Sequence, residues 1–350
     1  MGYWGNPYSL EESFIVRYLT ARLGTRFTRM EVILLVMLVF SVLLPLFAPS
    51  RYYVRLVTDA FIFAILALSY DVALGYTGVI SLGHAWFFGL GAYAVGILLG
   101  RVGLPLPIVV LIVVGMGIAG GIVISVLTLR LKGIYLAMVT LALCEFFYIL
   151  AQKWETLTGG IEGLAIFLPQ GWLTDPILIF YLTLVLLGVI YVFLRRAVNS
   201  PVGRVWVAMR ENEIRCKHLG YDVVSYKMLS LVLSGALATV AGGLYALSIR
   251  FVTPSVFALS VNFQLVLMCI IGGAGTLHGP IIGAIILRLL GPLVGDYTRY
   301  WELILGATYL VFVLFFPWGI VRVHQSPRPK FIVQLQRWYG SLRKQSVAKK

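Results

Sequence analysis

The feature that most limits what this chain can fold into is a set of uninterrupted apolar runs: residues 32–48, 104–129 and 177–194 contain no Asp, Glu, Lys or Arg. A bilayer core about 30 Å thick is crossed by a helix of about 20 apolar residues. A membrane β-barrel would instead show segments of about ten residues with alternating polarity, and these runs do not alternate. Hydrophobic residues make up 60% of the 350, and charged residues only 12%, about half the share usual in a soluble domain. Mean hydropathy is +0.94. The expected fold is all-α, a polytopic integral membrane protein with about 8–10 transmembrane helices, some of them broken or re-entrant half-helices. Soluble enzyme folds are excluded.

The net charge of +14 is unevenly placed. Residues 1–31, 195–227 and 322–350 hold 19 of the 28 Lys and Arg, and the last of these segments holds eight with no acid. No soluble fold remains to present a nucleic-acid surface, whereas basic clusters beside apolar runs mark the cytoplasmic side. Both termini and the 195–227 loop are accordingly expected inside, with 152–176 outside. Apolar runs near 32–48, 56–74, 81–100, 104–129, 134–151, 177–194, 228–249, 262–287 and 301–321 number nine, yet termini on one side demand an even count. The run at 262–290 is the suspect: Gly272-Gly273-Ala274-Gly275-Thr276, then Gly279-Pro280 and Gly283, interrupt it and predict two half-helices. Broken backbone at membrane depth must be buried in protein or bathed in a wet cavity. That break is the first functional mark.

The organisation expected is an amphipathic segment 1–31, a transmembrane domain 32–321 with the 195–227 loop on its cytoplasmic face, and a basic tail 322–350. Ser9 and Glu12 form a capping box. Phe14, Ile15, Tyr18, Leu19 and Arg22, and again Phe331, Leu335, Trp338 and Leu342, recur at helical spacing near basic residues. Such helices lie on an anionic lipid surface. The mixed, polar start does not have the form of a cleavable signal peptide.

The ionisable residues picked out within the apolar runs are Asp71, His84 and Glu145, with Arg288 near an expected helix end. Each is costly in hydrocarbon and marks a candidate site. Asp71 reads as a solvated or capping group. His84 reads as a local hydrogen-bonding group or a ligand contact, and Glu145 as a carboxylate satisfying nearby donors or lining a passage. Ser81-Leu82-Gly83 and Thr276-Leu277-His278-Gly279 are alike and each leads into a small-residue helix, as in the internal repeats of transporters. In the basic loop Trp206, Met209, Glu213 and Cys216 share one helical face, ended by Gly220. That pattern fits a solvated loop or a docking element for a cytosolic partner. Cys144, Cys216 and Cys269 have no spacing for a metal or a dithiol. No H-E-x-x-H or G-x-S-x-G occurs, and the dipeptide Gly-Lys is absent, so the chain lacks an ATP phosphate loop. No series of acids spells out an ion relay, which counts against a secondary transporter or channel.

At these residues the chain resembles the membrane subunits of branched-chain amino-acid ABC importers, most of all the longer of the two permeases. The similar segments are Tyr70 to Gly78, Ser81-Leu82-Gly83-His84-Ala85, Tyr135 to Ala142, Leu157-Thr158-Gly159-Gly160, Arg210-Glu211-Asn212-Glu213 through Gly220, and Gly272 to Pro280. They run in order over roughly residues 50–320. The resemblance implies a permease that binds no cofactor, works with a second, related permease and receives its amino acid from an extracytoplasmic binding protein. Two cytosolic ATPase subunits would use ATP and Mg on its behalf. Coupling to them would fall to Trp206, Met209, Arg210, Glu211, Asn212, Glu213, Ile214 and Gly220, although Arg215 and Cys216 replace the alanines common in the family's coupling helix. The translocation pathway would take in Gly78, Ser81, Gly83, His84, Thr140, Glu145, Gly272, Gly273 and Gly275. Trp154, Thr158, Gly159, Gly160 and Trp172 would meet the binding protein, or the tryptophans would belong to an aromatic belt. Urea and short-amide permeases share several of these segments and form the alternative.

Overall fold

The computed structural model describes residues 41–45, 50–128, 131, 133–167, 174–295, 306, 310 and 319. The chain divides into two compact units, Met1–Phe47 and Ala48–Lys350. Of the first, residues 41–45 are described, as helix; all the other described residues belong to the second. The segments built on Ser9 and Glu12 and on Phe331 to Leu342 lie outside the described residues, as do most of the runs at 32–48 and 301–321.

Among the described residues the apolar runs become helices. In chain order the second unit holds α1 (Arg51–Asp71), α2 (His84–Gly100), α3 (Leu106–Thr128), α4 (Ile134–Lys153), the short α5 (Glu155–Thr158), α6 (Pro176–Asn199), α7 (Pro201–Glu211), α8 (Glu213–His218), α9 (Val223–Ile249), α10 (Leu259–Gly272) and α11 (His278–Gly295). Among the described residues, α1 with its π turn, α3, α4, α6 and α9 are long and apolar enough to cross a membrane, while α2, α10 and α11 are shorter apolar helices. A two-stranded antiparallel ribbon, β1 (Leu164–Ala165) with β2 (Phe251–Val252), ties the connection after α5 to the end of α9.

Helices α1 and α9 form the centre. The most apolar stretch of α1 is 83% buried, against 28% for α4, and α9 packs on α1, α2 and α3. Apolar burial does not drive helices together in lipid; close packing of small residues does. The sequence supplies it. A Cβ at Gly91 would stand 1.9 Å from the Thr239 carbonyl oxygen, and one at Gly242 1.9 Å from that of Phe88, so α2 and α9 meet backbone to backbone.

Two interruptions shape the site. Helix α1 ends in a π turn, Val72–Tyr76, where the Thr77 hydroxyl and the Val79 N–H both bond to the Ala73 carbonyl, at 2.6 and 2.8 Å. The run at 262–290 is broken between Gly272 and His278, as its glycines predict. Thr276 Oγ1 donates to the Gly273 carbonyl (2.6 Å) and accepts from Gly279 N (3.0 Å), so these two freed backbone groups have a partner. Pro280 falls in the first turn of α11, where a missing N–H costs nothing. Ser81-Leu82-Gly83 and Thr276-Leu277-His278 each lead into a helix that begins at the histidine.

The single helical face expected for the 195–227 loop is corrected. It folds as two helices, α7 and α8, with Asn212 between them accepting from Arg215 N at 2.9 Å. An Asn side chain that caps the next helix ends the previous one.

Candidate functional site

The π turn of α1, the break before α11 and the last turn of α7 meet at one place. Asp71 is fully buried, and its Oδ1 accepts from Gly275 N at 2.7 Å. The expectation of a solvated Asp71 is therefore corrected: a carboxylate is tolerated here because a backbone donor of the broken helix is turned onto it. A Cβ at Gly75 would fall 2.0 Å from that oxygen and 2.4 Å from Gly275 N, so only glycine fits. Arg210 Nη1 donates to the Gly75 carbonyl, and a Cβ at Gly275 would lie 2.6 Å from the same Nη1. Gly275 has φ +76 and the neighbouring Leu277 φ +52. The second value is costly for a residue other than glycine, so the contacts around the loop must hold it there.

Helix α7 is carried to this point by its own packing. Pro201 opens it after Ser200, and Val205 and Met209 join Cys216, Val223 and Tyr226 in a small core. Trp206 Nε1 donates to the Tyr226 carbonyl at 3.0 Å. Trp206 and Met209 are thus buried within the chain, which corrects the expectation that they offer apolar contact to a partner. The exposed apolar side chains of this region are Val207, Ile214, Leu219, Tyr221 and Val224. Glu211, Arg215, Lys217 and His218 stand exposed beside them. Glu213 pairs with Lys227 of α9 at 2.8 Å, Asn212 is the cap, and Gly220, with φ +86, closes the segment. Asp222 caps α9; the Ser225 hydroxyl bonded to it holds its carboxyl below the usual carboxylate range.

The residues assigned to a pathway separate into groups. Gly78, Gly272, Gly273 and Gly275 belong to the two interruptions, with Gly78 and Gly275 against Arg210. Ser81, Gly83, His84 and Thr140 instead form packed interior. His84 has no exposed surface; its Nε2 meets Ser234 Oγ at 2.6 Å, and that hydroxyl donates to the Ser69 carbonyl. Thr140 Oγ1 accepts from Leu82 N (3.0 Å), and Asn262 Oδ1 from Ala85 N (2.9 Å). Leu82 N and Ala85 N at the start of α2 are thereby taken by protein, and His84, Ser81, Gly83 and Thr140 are buried among the helices of this chain. Glu145 is half-buried on α4, the least covered long helix.

At the other end of the bundle Trp154 is 47% exposed, with Ile161 and Phe167 more open still. Thr158 is buried, donating to the Ala151 and Trp154 carbonyls. Gly159 and Gly160 have positive φ and turn the chain toward β1. Arg101 holds the loop from α2 by donating to the Thr156 and Leu157 carbonyls. Trp172 lies outside the described residues.

Sequence reasoning missed Asn262 and Ser234, which anchor the start of α2, and Asp59. Arg288 is not at a helix end but inside α11, where its guanidinium grips Asp59 of α1 at two points, 2.8 and 3.1 Å.

A bundle of membrane-length helices, with a broken helix linked by hydrogen bonds to a charged helical pair between two crossings, is the construction of a membrane transport subunit. The model of the branched-chain amino acid transport system / permease component family matches residues 52–314, and the chain belongs to that family. It is 31% identical over 325 residues to the high-affinity branched-chain amino acid transport system permease protein LivM of Escherichia coli K12, covering 84% of this chain and 75% of that one. It is 25% identical to a probable branched-chain amino acid transport permease protein LivM of Methanocaldococcus jannaschii, over 71% of this chain and 83% of that one. The autoinducer 2 import system permease protein LsrC of Enterobacter sp. is 31% identical over 259 residues, 71% of this chain and 70% of its own. No solved structure matches the chain. As a permease component it is a multi-pass membrane protein with no ATPase activity and no bound cofactor of its own.

Proposed function

We propose that this permease imports leucine, isoleucine and valine across the bacterial inner membrane. It would do so with a second, related permease, two cytosolic ATPases that consume ATP and Mg, and an extracytoplasmic binding protein. In this reading residues 195–227 face the cytoplasm and 152–176 the outside, as the basic clusters favour. The observation that carries it is the Arg210 hydrogen bond to Gly75, one residue contact away from Gly275. It joins the helical pair outside the apolar span to the break within it. A partner seated on Ile214, Leu219 and Tyr221 would displace α7 and α8 together, since they share one core, and Arg210 would carry the displacement to the loop of Gly273 and Gly275. Arg210, exposed at the end of α7, is then a transmitting residue between the helical pair and the interruptions.

The test is an Arg210→Gln variant of the reconstituted complex. Gln keeps a donor but loses the charge and the reach, so a charge-assisted bond of about 1.5–3 kcal/mol is removed. Expected are normal co-purification of the ATPases, retained basal hydrolysis, and loss of the stimulation by leucine-loaded binding protein. Wild-type stimulation would remove Arg210 from the coupling route. Uptake of labelled leucine measured against labelled urea by the wild-type complex separates the two cargo readings.

A further inference from the structure

Asp59 and Arg288 form an ion pair inside the apolar span, away from the junction of Arg210. Asp59 is eight residues beyond the start of α1, about 12 Å along its axis, and Arg288 ten residues beyond the start of α11, about 15 Å. Arg288 Nε donates to Asp59 Oδ2 at 2.8 Å and Nη2 to Oδ1 at 3.1 Å, while Nη1 reaches Gln264 Oε1 at 3.4 Å. The guanidinium carbon lies 3.5 Å from the centre of the Phe63 ring. The Phe63 and Tyr245 ring centres are 6.3 Å apart, which brings α9 against the same ring. Four helices, α1, α9, α10 and α11, thus converge on one charged spot.

The pair is not sealed. The Arg288 and Asp59 side chains keep 25% and 21% of their surface open, and three of the five guanidinium N–H groups are used by the bonds above. Charge in hydrocarbon is costly and marks substrate routes. If its task were only to join two helices, well-packed apolar residues would do as well. A free α-amino acid carries the complementary pair: a carboxylate that can accept from the open N–H groups of Arg288, and an ammonium that can donate to Asp59. Exchange of the internal pair for the zwitterion keeps every charge matched, because the zwitterion adds no net charge. We propose that Asp59 and Arg288 form a transit site for the zwitterionic head of an α-amino acid, a site that rests on the amino-acid import reading above.

The test uses the whole complex carrying Asp59→Asn with Arg288→Gln. The double variant is unchanged in net charge and free of any lone buried charge. Expected are normal assembly, normal stimulation of ATP hydrolysis by loaded binding protein, and labelled-leucine uptake reduced at least about tenfold, one power of ten in site affinity. A double variant importing leucine within a factor of about two of wild type overturns the proposal. A second measurement is independent of any variant's folding. Wild-type complex without binding protein should bind labelled leucine saturably, displaced by leucine but not by leucine amide or 4-methylpentanoate, each of which lacks one charge. Equal competition by either analogue, or no saturable binding, overturns it as well. A wild-type complex that imports urea and no leucine overturns the import reading and this site together.

Discussion

Replacing Gly75 with Ala tests the junction at its tightest point. The added Cβ would stand 2.0 Å from Asp71 Oδ1 and 2.4 Å from Gly275 N. Neither neighbour is a flexible chain end: Asp71 is fully buried, and the other atom is backbone. The Asp71–Gly275 hydrogen bond of 2.7 Å crosses the same space and is the first contact to go. A bond to an ionised acceptor contributes about 1.5–3 kcal/mol, and forcing a methyl into a packed site costs about 1–3 kcal/mol. The change therefore costs about 2.5–6 kcal/mol at the junction, which only in its upper part reaches the low end of a typical folding stability of about 5–15 kcal/mol. The protein still folds, while closure of the junction weakens by roughly 100-fold for each 2.8 kcal/mol. In proteoliposomes with the partner subunits, stimulated ATP hydrolysis and leucine uptake should both collapse while basal hydrolysis persists. Gly188→Ala is the control, since nothing lies within 4 Å of its Cβ position and Ala is the better helix former by about 1 kcal/mol. Matching melting temperatures and matching stimulated hydrolysis for the two variants would refute the reasoning.

Two further outcomes are expected. Val207→Pro, in the interior of α7, should cost about 3 kcal/mol and abolish stimulation of the ATPase, which a hydrolysis assay of the complex checks. Cysteines introduced at Thr156 and Ser200 should react with impermeant reagents from opposite faces of intact cells, and labelling of Ser200→Cys from outside would reverse the orientation.

The break before α11 is legible because Gly and Pro act locally, and the helix ends where they stand. The start of α7 is legible for the same reason, at Ser200-Pro201. The end of α7 is less so: Arg210 to Glu213 continue at helical spacing, and the cap by Asn212 competes with that continuation only through one side-chain bond. Periodicity shows that Trp206 and Met209 share a face but not what covers it, and the chain's own Tyr226 does. His84 drew attention as a charge-bearing residue beside a glycine break, yet its partner Ser234 is 150 residues away. Asp59 escapes for the same reason, with Arg288 229 residues distant. Contacts of that range leave no local pattern to read.

The acids of α1 explain how the two interruptions and the ion pair belong to one mechanical unit. Asp71 and Asp59 stand twelve residues apart, about 18 Å along the helix. The first holds the backbone of the break just before α11, and the second holds Arg288 within α11. Helix α11 is therefore fastened to α1 at two heights, and the order of the contacts makes the two helices antiparallel. One fastening uses a neutral donor from a glycine loop that lies against Arg210; the other uses a full charge that keeps part of its surface open. A bond to a backbone N–H shifts with the loop that carries it, whereas a two-point carboxylate–guanidinium grip holds orientation as well as distance. In the coupling proposed above, displacement of α7 acts on the fastening at Asp71, while the fastening at Asp59 is a separate one whose loss leaves the first in place.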